Sequence, residues 1–238
     1  MRQPSPECVQ SRVFLVIPAY NEGRVLVSTI HGLLPYGYSI VVVDDGSSDG
    51  TSALLAPALT DTPVHYLRHP VNLGQGAALQ TGMDYALTQG AEYIVHFDAD
   101  GQHPAEGIPA LLDPIRRGEC DVAVGSRFLD PETVKLIPRG RRILLRGAVV
   151  ISGILTNLWL SDAHNGFRAL SHAAAKKIRL HENGFAHATE FLDEVRRAKL
   201  RLREVPVAIR YTDYSQAKGQ PASNSVNILI DVLLRKVL

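Results

Sequence analysis

The sequence predicts an α/β fold with a mainly parallel central sheet. Three observations predict it. Short apolar, partly β-branched runs alternate with helix-length segments through the first half of the chain. Such alternation makes βαβ units, whose strands lie parallel. Clusters of Asp, Asn, Ser and Gly follow three of the runs directly, and ligands of open parallel sheets bind at the carboxyl ends of strands.

The elements follow in order. Arg12 to Pro18 (R-V-F-L-V-I-P) is an apolar run closed by proline and reads as a buried strand. Asn21-Glu22-Gly23 opens a helix to about Leu34. Ser39 to Val43 is the second strand, closed by D-D-G-S-S-D-G (Asp44 to Gly50), a turn and helix N-cap signal. Val64 to Leu67 is the third strand, Gly76 to Gln89 a helix, and Glu92 to Phe97 a fourth strand ending directly on Asp98. Glu106 to Arg117 is helical and Asp121 to Val124 is the fifth strand.

The second half is less regular. Leu129 to Gly140 reads as a basic loop, and Ile143 to Leu160 as an apolar helix. His164 to Leu170 reads as a strand and Ala188 to Leu200 as a helix. Leu202 to Arg210 is strand-like, with Pro206 marking an edge or a bulge. No repeat or linker divides the chain, so its 238 residues predict one domain, 1–238. Its core would span 12–210. Ser225 to Leu238 would form a helix with a narrow polar stripe, a face suited to the domain's own core, a second subunit or a membrane.

Composition narrows the function. A net charge of +1 gives no global case for nucleic acid. The two cysteines, Cys8 and Cys120, cannot build a disulfide framework, and the first residues carry no apolar signal segment; a reduced, cytoplasmic setting is expected. Ile143 to Leu160 is interrupted by Arg146, Ser152, Thr156 and Asn157, short of the roughly 20 apolar residues of a membrane span. A core or interfacial helix is expected there. His96, His103, His164 and His187 have no H-x-x-x-H spacing, which argues against zinc.

The strand-end clusters carry the chemistry. In Asp98-Ala99-Asp100-Gly101-Gln102, two carboxylates one residue apart point to the same side when the chain turns. Hard divalent cations take oxygen ligands, and Mg²⁺ is typically held by one or two carboxylates plus substrate phosphates. Asp98, Asp100 and the Gln102 amide oxygen would supply three ligands and a diphosphate the rest. Asp45 suits a base N–H or a ribose hydroxyl, whereas Asp49 suits the cap of the next helix. Asn72-Leu73-Gly74-Gln75-Gly76 precedes a helix, where glycines admit a phosphate and the helix N-terminus favours anions. It lacks the full G-x-G-x-x-G spacing of a dinucleotide fold.

Six motifs occur in order: V-I-P-A-Y-N-E (16–22), V-V-D-D-G-S-S-D-G-T (42–51), N-L-G-Q-G-A-A (72–78), F-D-A-D-G-Q-H-P (97–104), G-S-R-F (125–128) and N-G-F-R-A-L (165–170). Together they resemble the family 2 inverting glycosyltransferases of the GT-A fold, and most of all the polyprenyl-phosphate sugar synthase branch. The resemblance covers about Arg12 to Arg210. It implies that Pro18, Tyr20 and Glu22 line the nucleotide pocket, that Asp45 contacts base or ribose, and that Asp98, Asp100 and Gln102 hold Mg²⁺ or Mn²⁺ with the diphosphate. Arg127 would meet the acceptor phosphate or the donor diphosphate, and Arg141 would be a second acceptor-phosphate arginine. The serine that commonly follows it four residues later is here Leu145.

The implied activity is transfer of a sugar from a nucleotide-sugar to a polyprenyl phosphate in cell-surface glycan synthesis. Lys135, Arg139, Arg141, Arg142 and Arg146 form a basic run leading into an apolar segment, as an interfacial helix does. This leaves room for a peripheral site at the inner membrane face, a membrane-protein partner or a homodimer. A lipid phosphate is already anionic. A sugar hydroxyl would need a carboxylate base, for which Asp162, Glu190 and Asp193 are the candidates. Transfer to a glycan hydroxyl, or nucleotide-sugar binding without turnover, are the alternatives.

Overall fold

A computed structural model of the chain describes residues 12–137, 139–162, 165–184 and 186–209. The helix expected at Ser225 to Leu238 lies outside the described residues, as do His164, Arg210 and the side chain of Arg141.

Seven strands form one sheet: β1 (Val13–Ala19), β2 (Ser39–Asp44), β3 (Val64–Arg68), β4 (Tyr93–His96), β5 (Val122–Ser126), β6 (Arg168–Ser171) and β7 (Leu202–Pro206). Their spatial order is β3-β2-β1-β4-β6-β5-β7. All pairings are parallel except those of β6, which runs antiparallel to both β4 and β5. The expected mainly parallel sheet therefore holds, with one reversed strand. Because β6 is antiparallel to β4 and β5, it enters the sheet at their carboxyl ends. Its expected start at His164 moves to Arg168.

The helices are α1 (Gly23–Leu33), α2 (Thr51–Leu59), α3 (Gln75–Thr88), α4 (Ile108–Arg116), α5 (Pro131–Leu136), α6 (Arg139–Thr156), α7 (His172–Lys177) and α8 (His187–Arg197). Alternate strand residues feed two cores, since neighbouring side chains leave a strand on opposite faces. Leu15, Ile17, Ile40 and Val42 pack with α1, α2 and α4 through Leu26, Ile30, Leu55, Leu111 and Ile115. Phe14, Val16, Val41 and Val43 pack with α3, α7 and α8 through Leu79, Met83, Ala175, Phe191 and Val195. Burial on both faces explains why β1 and β2 read as continuous apolar runs.

One expectation is corrected and one helix is added. The segment from Leu129 is not all loop: Asp130 accepts the Thr133 amide at 3.1 Å and caps α5, a signal present in the sequence as D-P-E-T. α7 was unread because Ser171, which caps it through the Ala174 amide at 3.2 Å, precedes only six residues with little apolar periodicity. β7 is the sheet edge that Pro206 indicated. Among the described residues no helix is long and apolar enough to cross a membrane.

Candidate active site at the carboxyl ends of β1, β2 and β4

The sheet order sets β2, β1 and β4 side by side, so the three polar clusters that follow them adjoin. The first two are laced together. The Asn21 amide donates to Ser47 Oγ at 2.9 Å, and Asn21 Oδ1 accepts the Ser48 amide at 2.9 Å. Asp49 accepts the amides of Gly23 (3.2 Å) and Thr51 (3.0 Å); its role is structural, but the N-cap of α2 expected at Asp49 is Gly50. Pro18 is half-buried at the end of β1, with Tyr20 exposed beside it. Glu22 lies close enough to Asp100 for its charge to act on that carboxyl.

Asp45 departs from expectation. It is 3% exposed, and its carboxylate is turned inward. Oδ1 lies 2.7 Å from His69 Nδ1 and accepts the Leu73 amide at 2.9 Å, and Oδ2 accepts the Gly74 amide at 2.6 Å. A carboxylate has about four acceptor positions, and three serve the loop before α3. Asp45 therefore anchors that loop, and one of its acceptor positions is left for a ligand.

The glycine loop is likewise occupied by protein. Gly74 has φ +104, and a Cβ there would stand 2.1 Å from the Asn183 carbonyl oxygen; one on Gly76 would stand 1.9 Å from the Glu182 oxygen. The Gly76 amide donates to Asn183 O at 3.0 Å. The glycines admit the segment 182–183, not a phosphate. Glu190 holds that segment: its oxygens accept the amides of His181 at 2.9 and 3.0 Å and of Glu182 at 2.9 Å. Both oxygens of this candidate base are thus engaged by backbone donors. The one-dimensional sequence shows Glu190 as an isolated acid on a helix and gives no sign of the loop it anchors.

The third cluster has the electrostatics of a cation site. Asp98 Oδ2 lies 3.0 Å from His103 Nε2, and Oδ1 lies 3.5 Å from Gln75 Nε2. Burial raises the Asp98 carboxyl, but the His103 hydrogen bond and the nearby Arg168 guanidinium more than offset it, so the group stays below its ordinary range. Asp100 behaves oppositely. Burial first, then the charge of Asp98, push its carboxyl up to about 6, against the amide of Gln102 that Oδ1 accepts at 3.0 Å. Two carboxylates that repel one another in this way mark uncompensated negative charge. Ala99 fixes the loop by accepting the Thr29 hydroxyl at 3.0 Å. No group of three His, Cys, Asp or Glu side chains among the described residues could hold a metal by itself. The donor set fits a cation shared between two carboxylates and the phosphates of a ligand.

The pH dependence follows. A carboxyl raised in the folded state binds its proton more tightly there than in the unfolded chain. The stability that the Asp100 carboxyl itself contributes to the metal-free protein is therefore lost as pH rises from about 4 towards about 6. A cation competes for the same oxygen, so Mn²⁺ affinity in the presence of a nucleoside diphosphate is expected to fall roughly tenfold per pH unit below about 6. Calorimetric titration between pH 5 and 8 checks this, and a flat profile refutes it.

Gly166 packs against Asp98, a closeness that spacing alone did not mark although the residue stands in the quoted N-G-F-R-A-L. A Cβ there would lie 2.5 Å from Asp98 Oδ2 and 2.9 Å from Oδ1. Gly166→Ala is expected to displace Asp98 and weaken Mn²⁺–nucleoside diphosphate binding at least about tenfold, with the circular dichroism of the sheet unchanged. Equal binding by the variant would show that Asp98 is not where the cation sits.

Behind this loop lies a buried charge cluster. Arg168 is 2% exposed, donates from Nε to Asn165 O at 2.9 Å and lies 4.4 Å from the Phe191 ring centroid. Burial lowers its guanidinium to about 10, which leaves it cationic at neutral pH, and the charges of Asp98 and Asp162 favour that form. Asp162, 1% exposed, grips Arg127 in a two-point pair, Oδ2 to Nε at 2.6 Å and Oδ1 to Nη2 at 2.6 Å, and also accepts the Arg127 amide at 3.0 Å. The loop before it is held by Glu204 of β7, which accepts the amides of Ser161 at 2.8 Å and Asp162 at 3.1 Å. Asp162, a candidate base, thus pairs with Nε and Nη2 of Arg127, the arginine expected at a phosphate. Asp193 lies in α8 with Arg196 Nη2 at 3.8 Å.

The family model described as Glycosyl transferase family 2 matches residues 14–179. An uncharacterized protein of Methanocaldococcus jannaschii is 35% identical over 234 residues, covering 97% of this chain and 95% of the relative. The UDP-N-acetylglucosamine–dolichyl-phosphate N-acetylglucosaminyltransferase of Methanococcus voltae is 30% identical over 241 residues, covering 94% and 96%. Glucosyl-3-phosphoglycerate synthase from Mycobacterium tuberculosis, solved with Mn²⁺, UDP and glucosyl-3-phosphoglycerate, superposes with a TM-score of 0.70 at 17% identity, covering 98% of this chain and 84% of that one. That last likeness carries the fold alone.

Proposed function

We propose, from the premise that this chain belongs to glycosyl transferase family 2, that this GT-A glycosyltransferase moves a sugar from a nucleotide-sugar to a polyprenyl phosphate with inversion. The observation that carries the choice of acceptor is the state of the three candidate bases. Asp162 is bound to Arg127, Glu190 to the amides of His181 and Glu182, and Asp193 lies within reach of Arg196. A sugar hydroxyl needs a base to take its proton; a phosphate oxygen does not.

In the reaction, an acceptor phosphate oxygen forms the new bond to the anomeric carbon on the face opposite the leaving group. The bond from that carbon to the donor's β-phosphate oxygen breaks, and its electron pair leaves with the nucleoside diphosphate. A divalent cation, Mg²⁺ or Mn²⁺, would neutralise the charge that gathers there. Asp98 and Asp100 would hold it, with Gln102 beside them. Mn²⁺ in the Mycobacterium tuberculosis synthase agrees with this. Pro18, Tyr20 and Glu22 line the nucleotide side, and Arg168 keeps a buried positive charge behind Asp98.

Two further observations support a lipid acceptor. The Methanococcus voltae relative acts on dolichyl phosphate. On α6, Arg146, Val150 and Ile154 are exposed at four-residue spacing, and the exposed Trp159 follows. A basic end leading to an apolar ridge suits a membrane surface, with Arg141 in the same basic run as the acceptor-phosphate arginine. The test is incubation with UDP-, GDP- and dTDP-sugars, Mn²⁺ and undecaprenyl phosphate. A lipid-linked sugar from one donor is expected. Transfer to a sugar hydroxyl with no lipid product from any donor would overturn the acceptor assignment.

A further inference from the structure

His103 has no part in the chemistry so far, yet its surroundings fix it closely. The ring is 6% exposed. It lies against Phe167 with centroids 4.8 Å apart and planes 23° from parallel, and it meets Phe97 edge-on at 5.9 Å. So held, it has one polar outlet. Nε2 is 3.0 Å from Asp98 Oδ2, while Nδ1 is buried with no hydrogen-bond partner among the described residues. A neutral imidazole carries its proton on one nitrogen only. A proton on Nδ1 would be a buried donor with nothing to receive it. The geometry puts it on Nε2, donating to Asp98.

The remaining surroundings of Asp98 complete the picture. The Cα of Gly166 closes off the same oxygen, since a Cβ there would come nearest to Oδ2, at 2.5 Å. Oδ1 has only the long contact to Gln75, at 3.5 Å. Oδ2 is tied to His103 at 3.0 Å and a Gly166 Cβ would crowd both oxygens, at 2.5 and 2.9 Å, while Oδ1 is held by no contact shorter than the one to Gln75.

We infer that His103 is a positioning residue for the cation: its Nε2–H holds Asp98 Oδ2, so that Oδ1 is the oxygen presented to the metal and the diphosphate. This rests on the proposed function only in requiring a divalent cation at Asp98. The Nε2–H fixes the carboxylate's orientation through one hydrogen bond of 3.0 Å. Partners that orient a metal ligand typically change metal affinity by about 10- to 100-fold when removed. The ring's burial between Phe97 and Phe167 prevents the rotation that would swap Nε2 for Nδ1.

Two variants of the full chain test this. His103→Phe keeps the aromatic packing and removes the donor. His103→Gln removes the ring and keeps an N–H. Mn²⁺ binding is measured by electron paramagnetic resonance, alone and with UDP or GDP, and the metal-free melting temperature of each variant is recorded. The expected result is that His103→Phe melts near the parent chain but binds Mn²⁺ about 10- to 100-fold more weakly, and that His103→Gln recovers part of the loss. The inference is overturned if His103→Phe binds Mn²⁺ as tightly as the parent. It is equally overturned if His103→Gln loses as much as His103→Phe, since the ring's packing rather than its N–H would then be what matters. A parent chain that binds no Mn²⁺ under either condition would remove the cation site itself, and the inference with it.

Discussion

Asp100→Ala is expected to lower turnover on the order of a thousandfold, comparable to removal of a principal charge-stabilising group from an active site, while the metal-free protein stays as stable as the parent or becomes more so. The two halves of that result have one cause. At neutral pH the Asp100 carboxyl, pushed up to about 6, is held ionised against burial and against Asp98. Its removal relieves that repulsion in the absence of a cation and takes away half of the carboxylate pair when one is needed. A purely structural turn would behave the other way, with lost stability and little change in rate. Donor turnover with excess Mn²⁺, read beside a thermal melt in chelator, separates the two. A fully active Asp100→Ala enzyme would refute the metal assignment.

The second large effect concerns stability. Asp162→Ala removes the partner of a guanidinium that is 8% exposed and bound at two points. Breaking a buried pair from one side leaves an uncompensated charge and costs about 3–5 kcal/mol. For a chain of this size each kcal/mol lowers the melting temperature by about 2–4 °C, so a drop on the order of 10 °C is expected. Arg168 adds to it, since the charge of Asp162 is one of two that favour its cationic form. The double variant Arg127→Met with Asp162→Leu is expected to regain most of the loss, because it removes both charges and fills the volume. If the double variant melts as low as Asp162→Ala, the loss comes from packing or from the neighbouring loop. The pair also bears on mechanism: an Asp162 that served as a free base would tolerate alanine in stability and fail only in rate.

Much of the fold was legible because its signals are local. β1 and β2 are buried on both faces and so are apolar throughout; the strand ends carry their turn residues in place. The errors fall where local signals are weak or the partner is distant. α7 is six residues long, and β6 is a four-residue strand whose direction depends on what lies beside it. The site divides in the same way. Asp98, Asp100 and Gln102 stand together in the chain, and their loop is a unit. Asp45 and Glu190 are acids near polar motifs; the amides that they accept, those of Leu73–Gly74 and His181–Glu182, lie 28 or 29 and 8 or 9 residues away. Arg127 and Asp162 are 35 residues apart.

By itself the sequence determined the α/β class, the family and the acidic loop from Asp98 to Gln102, because periodicity, turn chemistry and ordered motifs are properties of neighbours along the chain. Only the tertiary structure decided which acids are engaged by donors of the protein itself. A carboxylate's role depends on the donors around it, and the sheet order β2-β1-β4 with the antiparallel β6 brings those donors in from elsewhere in the chain. Thus Gly166 came to lie against Asp98, and Asp162 against Arg127, contacts made across space that no spacing in the chain records.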